Sequence, residues 1–453
     1  MNLVQPLGTP FLDFVHDLAL RDIPGDVLDT ARTCLLDLLG TAAAGSAQPS
    51  ARLIRDHAAE HFAAGAAPAR LLFDGRPVSP AGAALAGGMT IDAVDAHDGH
   101  KLTKGHVGCS VLPAALALCE ARGVADGGDF LAALVLGYEV GTRAGMALHA
   151  TAAEYHTSGA WGAVACAAVG ARVLGLDRAA TREAVGIAEY HGPRSQMMRV
   201  VETPTMLKDG SGWGAMAGVS AAFLAASGFT GAPAVTVEGD DVAAVWADLG
   251  HRWRLREQYF KPYPVCRWAH APIDAVLALR AAHGLAAAEI ARVEVATFEA
   301  AVRLGTRRPR CSDAAQYSLP FAVAAAAARG QVGPAEIDET ALDDPEILRL
   351  ADSMVVETDP ELERAFPGRR LARVALVLAD GRRLDSAPAD PRGDPENPLA
   401  PEELRDKYAR FAEPRLGKLR AARLEATVAR LGADAGLAEL LDLVGPAPVL
   451  AQN

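Results

Sequence analysis

The chain has 453 residues, half of them hydrophobic but only 5% aromatic, with a formal net charge of −12. That length allows two or three structural units around an ample core, and an interior built from Ala, Leu and Val favours closely packed helices. The acidic balance, with a pI near 5.5, argues against a nucleic-acid or anionic-membrane surface, so an anionic ligand must be met by local Lys, Arg and His.

Cys34, Cys109, Cys119, Cys166, Cys266 and Cys311 are scattered without a CxxC pair. Neither a disulfide framework nor a structural zinc site is patterned that way, and a reducing cytoplasm is the expected setting. No basic segment precedes an apolar run near the N-terminus, so no signal peptide is expected. The Ala- and Arg-rich composition points to a GC-rich bacterial genome.

In chain order, residues 10–45 give two amphipathic helices, the second starting at Pro24 and ending toward Gly45, and Ser50 is placed to cap a third. Pro80 to Val94 and Ser110 to Ala121 read as helices, with Ser110 as N-cap and Pro113 in the first turn. GDFLAALVLGYEVGTRAGMALH follows. Next comes the small-residue helix GAWGAVACAAVGARVLGL, with Thr157 or Ser158 as its cap, and then TREAVGIAEYHG and GWGAMAGVSAAFLAASG. The uncharged stretch Gly210 to Val237 breaks at SGFTGAP, which leaves a helix suited to a core rather than a membrane.

Beyond Lys261 the texture changes. ARVEVATFEAAV, SMVVETD and RRLARVALVLADGRRLDSA carry strand composition, the last with a hairpin turn, and LPFAVAAAAARG is a helix between them. PADPRGDPENPLAPEEL reads as a linker, after which helical periodicity resumes to the C-terminus. The expected fold is mainly α: a helical domain of residues 1–265 and 400–453 with a smaller α+β lid over 266–399.

The stretch from Thr90 to Ala121 concentrates chemistry: Asp92, Asp95, His97, Asp98, His100, Lys101, Lys104 and His106 lie within fifteen residues. The charged loop leads into a helix N-terminus, where backbone N–H groups favour an anion. Asp95-x-x-Asp98 with His106 forms an acid/base set. His97-x-x-His100 with the aspartates offers metal ligands instead, although zinc helix motifs space two histidines four apart. A solvated charged loop is the plain alternative.

Three further groups stand out. His156 opens a Gly/Ala helix, whose N-terminus favours a neutral imidazole fit to act as a base. Lys208 precedes Gly210, Gly212 and Gly214, which let a ligand approach the backbone. Lys261, Cys266, Arg267 and His270 surround a Pro-x-Pro turn at the domain boundary and offer cations for a carboxylate. No GxSxG, P-loop or dinucleotide fingerprint is present.

Together, LLDLLGTAAAG, GHVGCSVLPAALAL, GYEVGTRAG, YHTSGAWGAVACAAVGARVLGLD, LKDGSGWGAMAGVSAAFLAASGFTGAP, FKPYPVCRWAHAPIDA, QYSLPFAVAAAAARG and PRGDPENPLAPEELRDKY resemble, in order and spacing, the MmgE/PrpD family. Its members include 2-methylcitrate dehydratase, cis-aconitate decarboxylase and iminodisuccinate epimerase. The resemblance implies a large helical domain with an α+β lid, usually dimeric, and a cofactor-free site between the two. By motif it assigns catalytic positions to Asp95, His106, His156 and Lys208. Lys261 matches the lysine of the family's Lys-x-x-Pro segment, and with His100, Lys104, Arg267 and His270 it is expected to bind substrate. The chain departs from better-known members in its AHDGHKLTKGH loop, at Phe321 in place of a frequent tyrosine, and in KDGSGW.

The expected activity is therefore a cofactor-independent, dehydratase-type lyase acting on a hydroxy di- or tricarboxylate. An epimerase or decarboxylase at the same site is the alternative. From other classes, a metal-dependent hydrolase using the His97/His100/Asp loop and an inert binding protein remain open. The expected partners are a small carboxylate substrate and a second copy of the chain, with no nucleic acid, membrane or metal.

Overall fold

The computed structural model describes residues 9–446. Helices carry the N-terminal half, and their small residues let backbones nearly touch. The helix Ser211–Ala226 packs on Gly159–Leu174 and on Pro80–Asp92. A Cβ on Gly214 would come 2.3 Å from the Gly159 carbonyl oxygen, and one on Gly212 equally close to that of Leu85. Packing this tight leaves no room for a methyl group.

Several expected helix starts shift. The one at Pro80 does not: Pro80–Asp92 begins where expected, and Ser79 caps it by accepting from Gly82 N–H. The following helix begins at Gly108, so Ser110 lies inside it and donates its hydroxyl to the Ser211 carbonyl at 2.9 Å. Pro113 then sits in the interior, not the first turn, and packs on Gly87, where a Cβ would collide with its ring. Pro49 opens the third helix, after Gln48, which displaces Ser50 from the cap. Ser158 precedes Gly159–Leu174 without capping it, because its hydroxyl is spent on Asp209.

One apolar cluster joins Phe11 through Leu255 with Tyr408 through Val444, so the C-terminal helices Pro401–Leu416, Lys418–Arg430 and Leu437–Val444 pack on the N-terminal core. The periodicity expected beyond residue 446 lies outside the described residues. A second cluster runs from Tyr263 to Leu378 and also takes in Met197, Val200 and Val201. It is built on a four-stranded sheet in the order Val355–Thr358, Ile290–Thr297, Ala372–Leu378, Arg383–Asp385. The first pair is parallel, the other two antiparallel, with Val295 opposite Val374.

Two short pairings lie outside this sheet. Ala69–Arg70 pairs with Pro77–Val78, and Gly99–His100 with Gln258–Tyr259. The second fastens the acidic loop to the segment entering the smaller unit. The Pro/Asp-rich stretch after residue 386 is packed rather than a free spacer: Phe260 N–H donates to Gly393 at 2.9 Å, and Asp394 is buried. No helix among the described residues is long and apolar enough to cross a membrane.

Candidate active site

A cleft between the two units is lined by Asp95, Lys104, His106, Tyr155, Asp209, Tyr259, Lys261, Cys266, Arg267, Tyr317 and Arg370, among others. The space between these side chains, counting the open mouth, is about 370 Å³. The acidic loop forms its floor, held by groups from distant parts of the chain. The Asp95 N–H donates to Gln316 Oε1 at 2.9 Å, and Gln316 Nε2 donates to the Ala93 carbonyl at 3.1 Å. Lys407 donates to the Ala96 carbonyl at 2.6 Å and pairs with the buried Asp37.

Asp95 and Lys261 form a direct, buried ion pair. Burial alone would raise the Asp95 carboxyl, but Lys261, His97 and His106 override it and hold the group well below the usual carboxylate range. Burial likewise works against the Lys261 ammonium, and Asp95 outweighs it, so both partners stay charged.

His106 is the base this cleft offers. Its Nδ1 lies 2.6 Å from the Asp98 carbonyl oxygen. A carbonyl only accepts, so Nδ1 carries the proton and Nε2 keeps its lone pair. Burial, reinforced by His97 and Lys261, pushes the imidazole well below its ordinary value and keeps it neutral. His97 packs edge-on against it with ring centroids 4.2 Å apart, and its own value falls to about 3, mainly from burial.

Facing that lone pair is Asp209, with one carboxylate oxygen 3.9 Å from His106 Nε2. Burial and the charge of Asp92 push Asp209 up to about 7, although Ser158 donates to it through both hydroxyl and backbone N–H. A carboxyl that still holds its proton near neutrality is a general acid. Asp209 follows Lys208 at the turn into the Ser211 helix, and the sequence reading passed over it.

The expected site residues divide. Asp95, Lys104, His106, Lys261 and Arg267 line the cleft. His100 does not: its Nε2 lies 3.0 Å from Glu257, away from His97, which separates the two histidines expected to share a metal. His270 is also turned away. It is fully buried, with Nε2 3.1 Å from the Val265 carbonyl and Nδ1 3.2 Å from Arg267.

Lys208 lies behind the cleft wall, its ammonium 2.9 Å from Asp313 and 2.8 Å from Gln316 Oε1, and it borders an adjoining groove instead. His156 is not among the lining residues of either. Its Nδ1 lies 2.8 Å from the Glu154 carbonyl and its N–H donates to His149. At the start of the helix expected to hold an anion, Gly108 packs against the Tyr138 hydroxyl and the Asp98 carboxyl so closely that a Cβ would not fit. Cys266 lines the cleft as a thiol, pushed up to about 12 by burial and by Asp95.

Two sets of metal-type donors come together, Asp95 with His97 and His106, and Asp92 with His97 and Cys109. In the first, Lys261 already occupies the carboxylate. In the second, burial and Asp92 keep the thiol protonated, and it hydrogen-bonds Ser211 at 2.9 Å.

The model of the MmgE/PrpD N-terminal domain matches residues 10–254, and that of the MmgE/PrpD C-terminal domain matches residues 263–433. The chain belongs to the MmgE/PrpD family. Among curated members it is 27% identical to the cis-aconitate decarboxylase-like protein oryM of Aspergillus oryzae, over 95% of this chain and 96% of that one. It is 24% identical to the cis-aconitate decarboxylase of Aspergillus terreus, over 98% and 96%. These relatives are fungal. The cleft thus lies where the two MmgE/PrpD domains meet: Asp209 and His106 come from the first, Lys261, Tyr317 and Arg370 from the stretch beyond it.

Proposed function

We propose that this MmgE/PrpD protein is a cofactor-independent lyase that eliminates water from a hydroxy di- or tricarboxylate. The pairing of His106 with Asp209 carries this reading. A neutral imidazole with a free lone pair and a protonated carboxyl lie 3.9 Å apart in one cleft. Elimination needs both, one to take a proton and one to give one.

In this mechanism His106 Nε2 removes the proton from the carbon next to a substrate carboxylate. The C–H electrons move into that carboxylate as an aci-anion, and the buried charge of Lys261 stabilises it without reorganisation. The electrons then return to form the alkene as the C–O bond to the β-hydroxyl breaks. Asp209 gives its proton to that oxygen, and water leaves. Asp95 keeps Lys261 charged and in place.

Decarboxylation is the second reading, favoured by the names of the curated relatives. There Asp209 would deliver a proton to the carbon that CO2 leaves. Proton NMR in D2O over a panel of hydroxylated and unsaturated polycarboxylates tests both. A new alkene with loss of the hydroxyl supports dehydration, and release of CO2 supports decarboxylation. Deuterium uptake without elimination would make the enzyme an epimerase, and inertness toward every polycarboxylate would overturn the proposal.

A further inference from the structure

Two of the four cations lining the cleft are neutralised by the protein itself. Lys261 is paired with Asp95, and Arg267 lies 2.7 Å from Asp394. Behind the wall, Lys208 is taken by Asp313. Two cations facing the cleft, Arg370 and Lys104, meet no carboxylate among the described residues.

Arg370 is only 2% exposed, yet its Nε and Nη1 reach no acceptor at hydrogen-bonding geometry, and Nη2 has a single contact with the Lys101 carbonyl at 3.3 Å. A buried guanidinium with open donors is costly unless something polar completes it. Its guanidinium carbon lies 5.4 Å from the centre of the Tyr259 ring, which Arg267 also approaches at 4.7 Å, so a cation–π contact helps to place the group in the cleft. Lys104 has a left-handed backbone, φ 52°, a conformation that favours glycine over lysine. Burial and then the charge of Arg370 lower its ammonium, as expected for two cations with no anion between them.

We propose that Arg370 and Lys104 seat a second substrate carboxylate, remote from the carbon that His106 deprotonates, and so select dianionic over monoanionic substrates. This rests on the polycarboxylate reading above and adds where its second charge is bound. Arg370 precedes the strand Ala372–Leu378 of the smaller unit, whereas Lys104 belongs to the acidic loop, so the seat spans both sides of the cleft.

Isothermal titration of the full chain with succinate and glutarate, each against its own monoamide, tests the seat. Wild type is expected to prefer the dianion by roughly 10- to 100-fold, the range for a hydrogen-bonded charge. Arg370→Gln should cut that preference to about threefold or less. Arg370→Lys and Lys104→Gln should fall between. A wild-type preference retained in Arg370→Gln overturns the seat while leaving the polycarboxylate reading intact. If Arg370→Gln does not fold, Lys104→Gln decides, and an unchanged ratio there overturns the seat. Binding of neither dianion by wild type overturns both.

Discussion

Asp209→Asn tests the proposed proton donor, because the amide oxygen can still accept one of the two Ser158 hydrogen bonds but the group has no acidic proton to give. In the wild type, Asp209 is pushed up to about 7 by burial and by Asp92. With that value, about half of the molecules are in the donor form at pH 7 and about a tenth at pH 8. The sign follows from the role: an acid works protonated, so kcat/KM should fall as pH rises. The fall should be about fivefold between pH 7 and 8 and approach tenfold per unit beyond. His106 sets the opposite limb, which lies below its ordinary range because burial lowers it. Asp209→Asn should lower kcat/KM by about 10²- to 10⁴-fold and abolish the alkaline limb. The assay is steady-state turnover of the substrate found by NMR, from pH 5 to 9, with thermal melts as the folding control. A wild-type profile flat from pH 6 to 8.5, or a variant within tenfold of wild type at every pH, would refute the assignment.

His106→Gln should cost turnover at least a hundredfold, the usual scale for a general base, while His156→Gln, changed outside the cleft, should cost less in the same assay. Lys261→Met strips the buried Asp95 of its counter-charge and should destabilise the fold by about 3–5 kcal/mol in urea melts, with part of the loss recovered in Lys261→Met/Asp95→Asn. Prolonged chelation, checked by metal analysis, should leave turnover unchanged; loss restored by a divalent ion would favour the metal-dependent hydrolase.

The broad architecture was legible because it rests on periodicity. Strand composition over Ile290–Thr297 and Ala372–Leu378 and the ADGRR turn marked the sheet, and runs of small apolar residues marked the buried helices. The acidic loop was legible by its density of charge. What failed there was direction: His100 turns to Glu257, Asp98 to Tyr138, and only Asp95, Lys104 and His106 face the cleft. Spacing along a chain cannot report which side of an irregular loop a residue faces.

Asp209, Gln316 and Arg370 were missed for another reason. Asp209 looks like a turn residue before a glycine, and Arg370 like one of many arginines flanking a strand. Their significance comes from where they are buried and, for Arg370, from donors left without partners, which only tertiary packing creates. Asp209 had the one readable signal, a carboxylate between a lysine and a Gly-rich helix.

Lys407 sits on the Pro401–Leu416 helix yet clamps the backbone at Ala96 and the carboxylate of Asp37, more than three hundred residues earlier. The loop that carries Asp95 and His106 thus takes one of its backbone anchors from a helix near the far end of the chain. On the proposed mechanism, a chain cut short before Lys407 would keep both His106 and Asp209 and lose that anchor, so its turnover is expected to fall although the groups proposed to react are all still present.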